Sequence, residues 1–363
     1  ILLSFPSLSI SFLYFFLCWF FILLIFWFSH IFSLPLSAML LLVNRIQFII
    51  TGDKISPAER AIYMMNHRTR LDWMYFWAVL YQLDPNLLTT LKIVLKSSLK
   101  SLPGAGWAMQ FKNFIFLERS WDQDKETLEK SALYYSKTKQ PFQVLIFPEG
   151  TDYCTRSKIK SDSFASSNNL TAYKFVLQPR TTGVINFINY LRNQCAIDSI
   201  YDITVSYPDT VVQTEYDYFT GHSPRQVCYH IKKLDIAAVP TDLEAAALWL
   251  RQVWSEKEEA LSRFYKDLDQ NAARSYDGRM IAPSSPKLTP LYTASLFWLF
   301  FLLLWMYLLL VSVLFRIYIF LGALWFFFVE KYFGGWDMLQ IHLLCGGSHK
   351  AAKQDQKFRQ LQH

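Results

Sequence analysis

The sequence predicts a layered α/β domain carried between two membrane-embedded ends, and three observations predict it. Residues 1 to 44 contain no Asp, Glu, Lys or Arg. Residues 288 to 329 contain a single charge, Arg316. Between these ends lies a charge-rich segment in which short apolar runs alternate with runs of helical length, the pattern of strands and helices stacked in layers. The 363 residues suffice for one large domain or two small ones.

The N-terminal block comes first. A helix needs about 20 apolar residues to cross a bilayer, and "FLYFFLCWFFILLIFWF" with its neighbours supplies them near residues 8 to 29. "IFSLPLSAMLLLV" could add a short span, or a kinked or interfacial piece after Pro35. The block is too long for a cleaved signal and no Ala-x-Ala-like site follows it, so residues 1–44 are expected to be a retained anchor. The first residue is Ile1 rather than Met, so the true N-terminus is expected upstream.

Residues 45–285 form the expected globular domain. "AIYMM" (61 to 65) is strand-like, and "DWMYFWAVLYQL" (72 to 83) reads as a helix that is apolar nearly all round, hence buried. "LLTTLKIVL" (87 to 95), "NFIFLE" (113 to 118), "FQVLIF" (142 to 147), "DITVSY" (202 to 207) and "VCYHIKKLDI" (227 to 236) read as strands. Residues 122 to 139 read as a helix with an Asp N-cap and an acidic first turn. Residues 241 to 268 read as a long amphipathic helix with one face toward water. The turn-rich stretch 275 to 290 links this domain to a C-terminal membrane region, 286–331. There, 294 to 315 is a clear span. Residues 317 to 329 are either the return limb of a hairpin or a helix lying in the interface. A basic tail, 332–363, closes the chain.

The net charge of +7 suits a partner carrying phosphates, and the apolar ends favour an anionic lipid or a phosphorylated co-substrate over nucleic acid. Five scattered cysteines without a CxxC argue against zinc and against a disulfide framework, and for a reducing, cytosol-facing domain.

Four stretches carry polar groups that an apolar core does not explain. In "YMMNHRTRLDWMYFW", His67 and Asp72 lie five apart after a strand-like run and before a helix. They are either a base with its orienting carboxylate, or a solvated loop histidine before a capping aspartate. In "LIFPEGTD" a buried strand ends at Pro148, and Gly150 permits a left-handed turn. Backbone N–H groups and the Thr151 hydroxyl could then face a ligand, and Glu149 could bind a substrate hydroxyl or a cation; the alternative is a plain tight turn. Arg119, just past "FIFLE", suits phosphate recognition through its planar fork, or is a surface ion-pair partner of Glu118. Lys96 lies near it in sequence, and "LQPRTTG" brings Arg180 at another strand-like end. The sequence lacks a GxSxG elbow, a GxxxxGK[ST] loop and HExxH, and Cys154 reads as an incidental thiol.

In this order, NHxxxxD, an Arg after an apolar strand, FPEGT and a Pro-containing segment resemble the motif set of the glycerolipid acyltransferase family, the lysophosphatidate acyltransferase type. The resemblance covers roughly residues 45 to 240. "NHRTRLDWM", "GWAMQ", "LIFPEGTD", "LQPRTTG" and "DITVSYP" look most like the lysocardiolipin acyltransferase branch, which handles lysocardiolipin and lysophosphatidylinositol-type acceptors. It implies a central mixed β-sheet flanked by helices, with membrane helices at both ends. It further implies acyl transfer from acyl-CoA to a lysophospholipid, with no metal and no cofactor beyond that co-substrate. His67 would be the base and Asp72 its orienter, with no acyl-enzyme. Arg119 would hold the acceptor's phosphate, and Glu149 with Gly150 and Thr151 its glycerol. Asp152 stands where an Arg often follows the Thr, so Arg119, Lys96 or Arg180 would supply the missing phosphate contact. Phosphatidic acid synthesis is the close alternative, and hydrolysis by the same dyad the alternative of another class. The family implies the endoplasmic reticulum membrane, the basic tail favours a cytosolic domain, and glycan on the Asn169 sequon would show the opposite orientation.

Overall fold

Seven strands build one sheet: β1 (Gln47–Gly52), β2 (Arg60–Met65), β3 (Leu91–Lys96), β4 (Ile115–Leu117), β5 (Phe142–Ile146), β6 (Ser199–Ser206) and β7 (Gln226–Leu234). They belong to a computed structural model that describes residues 33–269, 281 and 287–346. The order is β1-β7-β6-β2-β5-β3-β4. β6, β2, β5, β3 and β4 run parallel, β7 is antiparallel to β6, and β1 is parallel to β7. The sheet is therefore mixed, and β5 and β6 are buried along their whole length, as strands covered on both faces must be.

Among the described residues the helices of six or more residues, in chain order, are α1 (Ser33–Ala38), α2 (Asp72–Leu83), α3 (Ala105–Phe111), α4 (Trp121–Thr138), α5 (Thr155–Ser167), α6 (Thr181–Asn193), α7 (Leu243–Asp269), α8 (Thr289–Val311), α9 (Val313–Phe333) and α10 (336–346). One sheet face packs Tyr63, Tyr201 and Tyr229 against Tyr75, Phe76 and Leu80 of α2. The other packs Ile62, Val144 and Ile200 against Leu128 of α4, Phe187 of α6 and Trp254 of α7. α2 packs against the sheet and against α1 as well, which is why it reads as apolar almost all round.

Several elements differ from the sequence reading. Residues 87–90 form a helical turn before β3 rather than its first half. The N-cap of α4 is Ser120, not an aspartate. Residues 177–180 are irregular and lead into α6, so Arg180 sits at a helix start, not at a strand end. Strand β1 and helices α5 and α6 were not anticipated. The polar sequence of α5 shows no apolar stripe, and β1 becomes a strand by pairing with β7 nearly 180 residues away. The membrane span expected near residues 8 to 29 lies outside the described residues, as do most of the 275–290 linker and the tail from 347 onward.

α1 continues through a π-turn, Met39–Val43, and packs against α2 and α8. α8 and α9 have 23 and 21 residues with mean hydropathies of 2.4 and 1.9, and both are long and apolar enough to cross a membrane. The chain breaks between them at Ser312, whose hydroxyl accepts from Phe315 N at 3.2 Å, and Trp305 meets Phe315 across the break. The second limb is longer than the 13 residues expected and carries Arg316 in its first turn. Its far end is pinned to the domain: Phe326 stacks on Trp107 at 4.5 Å, Lys100 pairs with Asp337 at 2.8 Å, and Gln110 accepts from Trp336 N at 2.7 Å. At Gly335, φ is 114° and a Cβ would lie 2.5 Å from Lys100 Cε, so only glycine lets α10 close onto α3.

Lys112, just after α3, is 9% exposed and donates to Leu88 O at 3.1 Å. Burial first, and the Lys92 charge second, push its ammonium down to about 7. The unfolded chain then holds this proton more readily than the folded one. The stability this site allows is complete above its ordinary 10.5 and is lost as pH falls toward 7. Lys112→Met is expected to flatten that loss and to raise the melting temperature at pH 6 by about 2–4 °C, read from melts between pH 6 and 9. A lower melting temperature at pH 6 would refute it.

Candidate active site

Five parallel strands bring their carboxyl ends to one edge of the sheet, where open α/β sheets bind ligands. The loop after β2 carries Asn66 and His67, the loop after β4 carries Arg119, and the loop after β5 carries Phe147 to Cys154. β6 ends beside them just before Tyr207.

Asn66 is 2% exposed and bridges to β6 with both ends of its amide, Nδ2 donating to Val205 O at 3.0 Å and Oδ1 accepting from Val205 N at 2.8 Å. The next residue is thereby held at the sheet edge. His67 Nδ1 lies 2.9 Å from Asp72 Oδ2. Its ring stacks on Phe147 at 4.1 Å, and ring geometry aims Nε2 away from the carboxylate. Asp72 is the first residue of α2 and fully buried. Its Oδ2 also accepts from Thr69 N at 2.9 Å, and its Oδ1 accepts from the Tyr207 hydroxyl. All three of these partners are donors, the complement of a carboxylate that only accepts. Burial and the Asp72 charge raise the Tyr207 phenol well above its ordinary value, so Tyr207 keeps its proton and donates.

Glu149 does not face outward. It is 3% exposed, and Oε1 accepts from His67 N at 3.3 Å. Burial pushes its carboxyl up to about 8, against the opposing pull of the His67 and Leu177 backbone N–H groups, the Trp254 indole and Lys257. Gly150 turns with φ 72°, and a Cβ there would strike the Arg180 guanidinium at 2.9 Å. Thr151 Oγ1 lies 3.3 Å from Asp152 Oδ1. Arg119 is held left-handed at φ 66°. Partial burial and the neighbouring Arg180 charge lower its guanidinium from the ordinary value, while Asp152 acts the other way. Arg119, Arg180 and Asp152 thus share one electrostatic neighbourhood beside the Gly150 turn. Lys96 ends β3 on the same edge, exposed and outside these contacts. Arg68 lies over the Tyr153 ring at 4.3 Å, and Arg70 reaches Asp152 at 3.9 Å.

A buried carboxylate that fixes one imidazole nitrogen and leaves the other at an open edge is the arrangement of a general base. The family model described as Acyltransferase matches residues 47–207, the span holding His67, Asp72, Arg119, Glu149 and Arg180. A second, Acyltransferase C-terminus, matches 217–298. The chain belongs to the glycerolipid acyltransferase family. It is 45% identical to lysocardiolipin acyltransferase 1 of Gallus gallus over 234 residues, 64% of this chain and 61% of that one. It is 42% identical to lysophosphatidylinositol acyltransferase 10 of Caenorhabditis elegans over 240 residues, 66% of this chain and 61% of that one. The chain thus spans about three fifths of the length of these relatives. The crystal structure of the acyltransferase PlsC from Thermotoga maritima superposes with a TM-score of 0.42 at 16% identity, covering 63% of this chain and 78% of that one.

Within this acyltransferase domain the sequence reading missed Tyr207, the second anchor of Asp72, and Tyr153, whose N–H donates to His67 O at 2.8 Å. Tyr207 lies at the end of "DITVSYP", where a tyrosine just before a proline was the available signal.

Proposed function

We propose that this chain transfers a fatty acyl group from acyl-CoA to the free hydroxyl of an anionic lysophospholipid of the lysocardiolipin or lysophosphatidylinositol type. The observation that carries the reading is the His67–Asp72 pair at 2.9 Å, with the carboxylate buried and the far ring nitrogen at the strand edge. The names of the relatives support the acceptor class, and the Arg119–Arg180 neighbourhood supports an anionic headgroup.

In this reading His67 Nε2 takes the proton of the acceptor hydroxyl as its oxygen attacks the thioester carbonyl. The tetrahedral adduct collapses, the C–S bond breaks, and the imidazolium returns the proton to the departing CoA thiolate. Asp72 keeps the Nδ1–H tautomer and offsets the imidazolium charge. Much of the rate comes from holding two substrates against one base. Arg119 and Arg180 bind phosphate oxygens, Gly150 and Thr151 line the acceptor, and Lys96 meets outlying phosphates. Glu149 serves from behind, seating the His67 backbone instead of binding glycerol. The α8–α9 pair lies in a bilayer, expected to be that of the endoplasmic reticulum, with the domain on its cytosolic side.

The test is a transferase assay on membranes holding the protein, with a panel of lysophospholipids and acyl-CoAs. Product with one acyl chain more than the lysolipid should appear with one free CoA thiol per acyl group transferred, and only when lysolipid is present. Free fatty acid formed without any lysolipid requirement would make the chain a hydrolase and overturn the reading.

A further inference from the structure

Helix α7 lies outside the Acyltransferase match and within the C-terminal one, yet three of its polar residues reach the parts that hold the dyad. Lys257 is 1% exposed. Its Nζ donates to Ile203 O at 2.6 Å and Thr204 Oγ1 at 3.1 Å, and pairs with Asp202 at 2.7 Å, three successive residues of β6. The next residue, Val205, is the one Asn66 grips. The Lys257 ammonium also lies 5.1 Å over the Trp254 ring and faces the buried Glu149 carboxyl. Glu258 accepts from the backbone N–H groups of Lys174, Phe175 and Val176 at 2.6 to 3.1 Å, just before Leu177, whose own N–H reaches Glu149. Tyr265 Oη accepts from Tyr207 N at 3.2 Å, and Tyr207 in turn holds Asp72.

The Lys257 contact is thus one residue away from Val205, which Asn66 grips, the Tyr265 contact is on Tyr207, which holds Asp72, and the Glu258 contact is one residue away from Leu177, which reaches Glu149 and through it the His67 backbone. A fully buried ammonium is an expensive way to fill this space, since an apolar side chain of like volume stabilises such sites as well or better. What the ammonium adds is direction: it ties two backbone or hydroxyl oxygens and the Asp202 carboxylate to one point on a rigid helix.

We propose that Lys257 is a positioning residue of the acyl-transfer site: from α7 it fixes the carboxyl end of β6 and faces Glu149, and so sets the seat of His67 and Asp72 without touching either. The inference rests on the acyl-transfer reading for its kinetic part and on geometry alone for its structural part.

The experiment compares wild type, Lys257→Met, the charge-neutral pair Asp202→Asn with Lys257→Met, and Lys232→Met in the full chain in detergent micelles. Lys232→Met removes an exposed ion pair with Glu256 and should behave as wild type. Lys257→Met should lower kcat at least tenfold with both KM values within twofold. The double variant should regain thermal stability without regaining kcat. Hydrogen-exchange mass spectrometry, which needs no substrate, should show faster exchange over residues 65–72 in both Lys257 variants and unchanged exchange over α4. A wild type without transfer activity but with this exchange response defeats the functional reading and leaves the positioning role standing. Unchanged exchange over 65–72, or kcat returning together with stability in the double variant, overturns the positioning role.

Discussion

Alanine in place of His67 is expected to lower acyl transfer by about 10²–10⁴-fold, the range a positioned general base contributes. The substitution is unusually clean here. Two contacts that fix this loop run to the backbone of residue 67 rather than to its ring: its N–H donates to Glu149 Oε1 at 3.3 Å and its carbonyl accepts from Tyr153 N at 2.8 Å. Alanine keeps both. The ring stacks on Phe147 and donates to Asp72, whose carboxylate keeps the Thr69 N–H and the Tyr207 hydroxyl when the ring is removed. Melting temperature should therefore stay within a few degrees of wild type while activity collapses. The measurement is the initial rate of acylated lysolipid per mole of folded protein, and a His67→Ala protein at full activity would exclude His67 as the base.

How much of this was legible in the sequence follows the range of the forces involved. The helix Asp72–Leu83 was readable to the residue, because an all-apolar run of that length bounded by polar residues has few alternatives. The strands β2 and β5 were readable for the same reason. Their common edge was not, since it depends on β2 lying between β5 and β6, a pairing across about 80 and 140 residues. Taken alone, the spacing of His67 and Asp72 left a capped turn open, and the structure shows how close the two readings lie: Asp72 does begin a helix and does take a local N–H, that of Thr69, while also holding the imidazole. Glu149 was read outward because a strand-end glutamate before a Gly turn is ordinarily exposed. It faces inward because α7 offers Trp254 and Lys257 beneath it. Arg68 and Arg70 had no assignment from sequence, and their partners, Tyr153 and Asp152, lie in the loop after β5. The exposed Arg70 pair is of a kind worth less than about 1 kcal/mol. Val184, Phe187, Ile188 and Leu191 of α6 recur at helical spacing, but Pro179 and Gly183 around its start read as the end of a strand.

The sharpest separation of roles is expected at Asp72, where asparagine and alanine should differ by an order of magnitude or more. A carboxylate can be replaced by an amide only if the amide finds an orientation that meets its neighbours. At Asp72 the neighbours choose it. Oδ2 takes the N–H of Thr69, a donor that cannot turn, so in Asp72→Asn the new amide oxygen must lie there, where it also accepts from His67 Nδ1–H. The amide nitrogen then faces Tyr207, whose hydroxyl can rotate from donating to accepting. The imidazole tautomer survives, and what is lost is the negative charge that offsets the imidazolium. Asp72→Asn should therefore lower kcat by about 10–10²-fold, less than the roughly 10⁴-fold seen where an asparagine forces the wrong tautomer. Asp72→Ala removes charge and tautomer control together and leaves Tyr207 and Thr69 N without an acceptor in a fully buried place, so it should approach the loss of His67→Ala and also melt earlier. The prediction extends to a double variant: Tyr207→Phe with Asp72→Asn leaves the amide nitrogen unpaired and should cost more than the product of the two single losses. Equal kcat for Asp72→Asn and Asp72→Ala would show that charge alone, and not the held tautomer, is what Asp72 contributes to the site.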